Sequence, residues 1–284
     1  IMKSLYNILT IFALSIVVSS CNNETTPVQR KAINHTIILD LSDRILTPNQ
    51  LEKDFQLITT FFNDFEKTSR RNLVVTSNDC FTVKIIPQKN SPLNVNHFED
   101  LLQIHLDELP ACDKNKSLVA LSQSLPKVLQ SLKKEALFGK VSKNYFGVDI
   151  WAYLHDNGKG LSKPNYDNTI LVLTDGYFDF ENQAHVIKEK NQYTSTHFLN
   201  ELTDPNWLRT AEAKQYGLLP IVLDKNTKWI VAGFSGKKAT DILQTEKITY
   251  FWKKWLTESG VTASQFILHS SKTEMSSKLL QQIQ

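Results

Sequence analysis

The sequence predicts an α/β fold, a doubly wound, mostly parallel sheet with helices on both faces. Two patterns carry that expectation. Short, continuous apolar runs rich in β-branched residues stop abruptly at polar loops, as strands buried on both faces do. Amphipathic helical stripes alternate with them along the chain, the order expected of βαβ crossovers. Composition narrows the field further: nine glycines and nine prolines in 284 residues are too few for a β-sandwich full of tight turns or for a linker-rich multidomain chain. No internal repeat interrupts the pattern.

Residues 1–20 differ from the rest. Lys3 is their one charge, and the apolar run from Ile8 to Val18 is shorter than the roughly 20 residues that span a bilayer, the layout of an export signal. Its end, Val18-Ser19-Ser20-Cys21, is similar to a bacterial lipobox. That resemblance implies cleavage before Cys21 and acylation there by chains such as palmitate, with lipid-bilayer anchoring in the bacterial cell envelope, inner or outer membrane undecided. Residues 21–32 are polar and lack apolar periodicity, so they read as a tether, and one domain follows over 33–284. Exported cysteines can pair, which makes Cys80 and Cys112 candidates for a disulfide, the alternative being two small buried residues.

In the domain, Thr36–Leu39 reads as a buried strand ending at the polar loop Asp40-Leu41-Ser42-Asp43-Arg44. Thr47-Pro48-Asn49-Gln50 supplies an N-cap, a first-turn proline and a capping-box glutamine. Leu51, Phe55, Ile58, Phe62 and Phe65, at steps of four and three, then give a helix of about five turns packed on the sheet. A strand pair is expected over Leu73–Thr76 and Phe81–Ile86, then helices near Phe98–Leu106 and Leu118–Leu132, the latter interrupted at Pro126. Ile170–Leu173 is the next buried strand, closing on Thr174-Asp175-Gly176. Beyond a short helix at Thr196–Leu202 come strands at Leu218–Leu223 and Lys228–Ala232, an aromatic-rich helix through Ile248, Phe251, Trp252 and Trp255 ending at Gly260, and a last strand at Phe266–Leu268.

Functional groups of an open α/β sheet gather beyond the carboxyl ends of its strands. The two most apolar strands end in acidic loops, at Asp40-x-Ser42 and at Asp175, and two carboxylates with a hydroxyl are hard oxygen ligands of the kind Mg²⁺ takes. Leu39-Asp40-Leu41-Ser42-Asp43-Arg44 and Leu173-Thr174-Asp175-Gly176 together resemble the two hallmark motifs of von Willebrand factor A-type domains, Asp-x-Ser-x-Ser and apolar-Thr-Asp-Gly. The resemblance implies a Rossmann-type sheet whose upper edge carries a metal-ion-dependent adhesion site. There Mg²⁺ would be held by Asp40, Ser42, Asp175 and, for the family's threonine, Ser117, with one position open to a carboxylate of a protein partner. Asp43, Arg44, Thr174, Gly176, Tyr177 and Phe178 would line the binding face. Arg44 departs from the family, standing where a second serine ligand is expected, and a guanidinium at that point would neutralise the carboxylates in place of an ion. Tyr177 and Phe178 read equally as partner anchors or as core.

Several function classes are excluded or weakened. Thirty-two Lys plus Arg against 29 Asp plus Glu give +3, with the basic residues scattered, so no nucleic acid is expected. Gly-x-Ser-x-Gly, Walker A, Gly-x-Gly-x-x-Gly and His-Glu-x-x-His are missing, and the seven histidines show no ligand spacing. A Mg²⁺-dependent hydrolase using Asp40 as nucleophile lacks its second acid, because Ser42 takes that position. The expectation is a non-enzyme: an envelope lipoprotein that binds a protein partner or scaffolds an assembly through its strand-end face, with that hydrolase or a structural lipoprotein with a vestigial site as the alternatives.

Overall fold

The computed structural model describes residues 30–71, 73–137, 146–178, 186–237 and 242–283. The chain divides into two compact units, Ile1–Lys31 and Ala32–Gln284. Of the first only Arg30 and Lys31 are described, so Cys21 and the signal segment lie outside the described residues.

The second unit is built on a six-stranded sheet of order β3-β2-β1-β4-β8-β9, formed by β1 (Ile33–Leu41), β2 (Cys80–Pro87), β3 (Gln103–His105), β4 (Asp167–Leu173), β8 (Lys228–Phe234) and β9 (Ala263–Leu268). Every pairing is parallel except that of the short edge strand β3 with β2. The central strands are apolar on both faces because helices cover both. Ile37 and Leu39 of β1, Leu171 and Leu173 of β4 and Ile230 of β8 point to one core with α1 (Gln50–Arg71), α3 (Ala111–Ala136) and α7 (Lys272–Ile283). Ile38, Ile170, Val172, Trp229 and Val231 point to the other, with α4 (Ile150–Asn157) and α6 (Ile242–Glu258). This is the doubly wound α/β architecture the alternating pattern predicts. Between β4 and β8 lie the two-residue strands β5 (Lys188–Glu189), β6 (Gln192–Tyr193) and β7 (Gly217–Leu218), which form a separate small sheet, and α5 (Trp207–Ala213); α2 (Val95–Leu101) precedes β3.

Several elements differ from expectation. Helix α1 begins at Gln50, because Thr47 closes a preceding single turn and Asn49 takes φ 61°, so Thr47 does not cap it. Its predicted stripe of Leu51, Phe55, Ile58, Phe62 and Phe65 is fully buried. Val74–Thr76 is a 3-10 turn and not a strand. Pro126 sits inside α3, which runs through it unbroken for 26 residues. Thr196–Glu201 is 3-10, and of Leu218–Leu223 only Leu218 is in a strand. Cys80 is buried and Cys112 exposed, and no bond joins them. The Cys80 thiol instead donates to Asp107 at 3.0 Å and accepts from the Lys163 ammonium at 3.2 Å; burial first and then Asp107 push it up to about 12.

Candidate functional site

Strand order reverses between β1 and β4: the chain leaves β1 toward β2 on one side and returns with β4 on the other. That reversal opens a crevice beyond the carboxyl ends of the two strands, the place where such sheets hold ligands. Asp40 ends the inner register of β1 opposite Ile86, and Thr174-Asp175-Gly176 follows β4 directly. The two acidic loops singled out in the sequence are therefore neighbours.

Asp40 is 1% exposed and both its oxygens are engaged. Oδ1 accepts the Ser42 backbone N–H at 2.8 Å, and Oδ2 accepts the Thr174 hydroxyl at 2.8 Å. The Thr174 hydroxyl in turn accepts the Gly176 N–H at 3.1 Å, which ties the β4 loop to the β1 loop. Gly176 takes φ +97°, and a Cβ there would stand 2.4 Å from Ile248, so glycine is required. Phe178 packs in the core against Trp252 and Trp255, at ring separations of 4.7 and 5.3 Å. It is thus not a partner anchor. Tyr177 is also largely buried, but its ring forms a wall of the crevice with the Lys237 ammonium 4.8 Å above it.

Arg44 resolves in a way the sequence does not reveal. Its guanidinium is buried and grips Asp54 of α1 with two bonds, Nη1 to Oδ2 at 2.8 Å and Nη2 to Oδ1 at 3.1 Å. Nη1 also donates to the Asp40 carbonyl oxygen at 3.1 Å, and Gln50 adds a bond to Asp54 at 3.0 Å. The head of Arg44 lies close against Gly233 of β8, where an added Cβ would be 3.2 Å from Nη2 and 2.8 Å from the Thr174 carbonyl oxygen. It therefore reaches from the end of β1 toward β8, beneath the crevice. Burial works against its charge, but Asp54, Asp40 and Asp175 outweigh that and hold the guanidinium above its ordinary value. Asp54 and Gln50 are the site residues that sequence reading missed. The signal available was their i, i+4 spacing on the first turn of α1, facing a loop with an unmatched arginine.

The crevice has a volume of about 390 Å³. Ser42, Asp43 and Asp175 line it, with Val148 from the loop before α4 and Ser235 and Lys237 from the loop after β8. Ser42 is 5% exposed, and among the described residues its hydroxyl makes no hydrogen bond, so it faces this space without a partner. Among the described residues the Asp175 carboxylate accepts only the Tyr177 N–H, at 3.3 Å. Its carboxyl is pushed up to about 7, first by burial and then by the Asp40 charge, with Arg44 opposing.

The donor set falls short of a Mg²⁺ cage. Ser117 lies on α3, which starts beyond His105 near the amino end of β2, at the opposite pole of the sheet; the structure does not bring it to the site. Both Asp40 oxygens already accept hydrogen bonds, and Asp40, Asp43 and Asp175 are not among groups of three converging ligands. Ser42, Asp43 and Asp175 line the crevice beside a permanent guanidinium. Among the described residues the one converging His/Asp/Glu group is His105, Asp107 and Glu108, near the amino ends of the strands, where the Lys163 ammonium already bonds Asp107 at 2.8 Å.

No protein-family model matches the chain, and no curated protein matches it. Among solved structures, the chain is similar to the pilus adhesin SpaC from Lactobacillus rhamnosus GG (TM-score 0.43, 10% identity, over 90% of this chain and 30% of that one). It is likewise similar to a mutant of the PilB minor pilin from Streptococcus sanguinis (TM-score 0.44, 14% identity, 90% and 62%). A third is proximal thread matrix protein 1 from the mussel byssus, with a zinc-occupied MIDAS motif (TM-score 0.34, 11% identity, 89% and 47%). The chain spans less than two thirds of the length of each, and the likeness reaches no further than the α/β fold class.

Proposed function

We propose that this protein is a lipid-anchored component of the bacterial cell envelope that binds a protein partner, or holds together an assembly, through the crevice at the switch point of its sheet. One observation carries the reading: a crevice lined by a Ser42 hydroxyl without a partner and by Asp175, whose carboxyl is raised first by burial and then by the Asp40 charge, built on a buried network of Asp40, Thr174, Arg44 and Asp54. Groups left unsatisfied at a preformed site are what a ligand completes. The family resemblance would fill the site with Mg²⁺ held by Asp40, Ser42 and Asp175; with Arg44 in place and Ser117 remote, partner binding does not require that ion.

The reading is of a binding protein and not an enzyme. Asp40, the nucleophile of the hydrolase alternative, is buried with a hydrogen bond on each oxygen and is not among the residues that line the crevice, so it is not offered to a substrate there. The test is a photo-crosslinking amino acid at Ser235, on the crevice wall, in cells expressing the full chain. A discrete adduct is expected that disappears with Asp175→Ala and persists with Ser117→Ala. An adduct pattern indifferent to Asp175 would sink the reading.

A further inference from the structure

We propose that the domain seats on the bilayer that carries its anchor through the amino pole of the sheet, with Leu73, Val75 and Val222 entering the headgroup boundary and the crevice turned outward. The inference rests on the lipid-anchor part of the reading above and gives that anchor a docking surface.

Topology decides which pole faces the lipid. The chain that would tether the domain to Cys21 joins it at Ile33, where β1 and the strands parallel to it begin. The Ile33 N–H donates to Asp79 Oδ1 at 2.9 Å and the Ser69 hydroxyl to Asp79 Oδ2 at 2.8 Å, so the start of β1, the end of α1 and the loop before β2 are locked together. The Lys114 ammonium fixes the same loop by donating to the Ser77 carbonyl oxygen at 2.6 Å. The crevice lies beyond the carboxyl ends, at the other pole. Residues 22–32 reach about 40 Å at most when fully extended, which keeps the amino pole near the surface, and a short tether makes even weak contacts there effective.

Exposure decides which residues enter. Among the described residues Val222 and Leu73 are the two most exposed large apolar side chains, at 70% and 69%, and Val75 is 47% exposed. Leu73 and Val75 stand in the loop that leads into β2. Val222 stands in the loop before β8, which is pinned at this pole by the Ile221 N–H on the Ser259 hydroxyl at 3.1 Å and the Leu223 N–H on the Ser259 carbonyl oxygen at 3.0 Å. In the sheet β2 lies on one side of β1 and β8 on the other, beyond β4, so the apolar tips flank the tethered strand. Points spread around an attachment site suit a plane better than a groove-bound peptide. Leu73 also takes φ 61° and ψ 95°, a conformation that costs a leucine free energy, while its side chain is left in water. Exposed Arg71 at the end of α1 and Lys225, three residues after Val222, place cations beside these tips, where lipid phosphates would lie.

The experiment uses the full chain purified from membranes of a bacterial host and reconstituted in vesicles of about three parts phosphatidylethanolamine to one of phosphatidylglycerol. Cys112→Ser removes the exposed thiol, and a nitroxide is then attached at Leu73→Cys, Val75→Cys or Val222→Cys, with Leu46→Cys, an exposed apolar site at the carboxyl pole, as the reference. Collision with a water-soluble nickel chelate should fall about threefold or more at the three amino-pole labels relative to Leu46, while collision with oxygen rises, as for side chains about 5–10 Å into the headgroup boundary. Leu73→Asp with Val222→Asp should return the Val75 label to water with the melting temperature unchanged, because both sites are on the surface. Two results overturn the proposal: amino-pole labels as open to the chelate as Leu46, or a Val75 label indifferent to the double substitution. If either occurs while the chain stays with the vesicles and carries acyl chains at Cys21, the anchor stands and only the seating is wrong. If the chain lacks acyl chains and does not sediment with the vesicles, both fall.

Discussion

Arg44 and Asp54 form a buried ion pair that joins the loop after β1 to the first turns of α1, and removing one partner leaves the other charged and unpaired away from water. Arg44→Ala is expected to cost about 3–5 kcal/mol of stability in chemical denaturation, because the loss includes stranding Asp54. Arg44→Met with Asp54→Leu should recover much of that loss while the crevice keeps its acidic lining. Asp175 makes a prediction of opposite kind. Its carboxyl titrates near 7 in the folded chain, against an ordinary value of 3.8, so the folded state binds the proton more tightly than the unfolded one. Its stabilising contribution is complete below about pH 4 and is lost as pH rises through 7. With divalent ions removed, the denaturation midpoint of the wild type relative to Asp175→Asn should therefore fall from pH 4 to pH 8. A parallel pair of curves would show that Asp175 is not charged against its neighbours.

At the scale of elements, α7 is the part of the fold that the sequence patterning did not announce. It is twelve residues with only Met275 and Leu279 fully buried, a stripe too sparse to stand out between polar positions, yet it lies along α1 and closes one core. Leu279→Ala should cost about 2–5 kcal/mol by urea denaturation, as a large-to-small change at a fully buried site. A loss below 1 kcal/mol would mean that α7 is dispensable. The central strands were legible because both their faces are covered, which forces unbroken apolar runs at β1, β4 and β8. Helix α1 was legible from its aromatic stripe. Val74–Thr76 misled because three β-branched residues in a row imitate a strand, and Pro126 misled because a proline's cost is local and a 26-residue helix packed on the sheet absorbs it. The acidic pair of the site was legible from Asp40 and Asp175, each at a strand end. Ser117 was placed by residue type alone, and Asp54 became visible only once Arg44 had a direction.

For the whole molecule, the open question is how a chain of near-neutral charge would stay at a membrane. Among the described residues no helix is long and apolar enough to cross one, and +3 spread over 284 residues offers no strong basic surface for anionic lipid. The lipid anchor proposed at the lipobox-like Val18-Ser19-Ser20-Cys21 would supply a different means, since two or more acyl chains hold a protein stably where a single chain does so only marginally. The segment at 22–32 would then let the crevice reach a partner away from the bilayer. Expressed in a bacterial host, the full chain should sediment with membranes and incorporate labelled palmitate, and Cys21→Ala should abolish the label and retain the uncleaved precursor. Mass spectrometry of the mature chain tests the same point: an acylated amino terminus at Cys21 is expected. An unmodified cysteine, or cleavage elsewhere, would remove the anchor and leave the crevice to act on a freely diffusing protein.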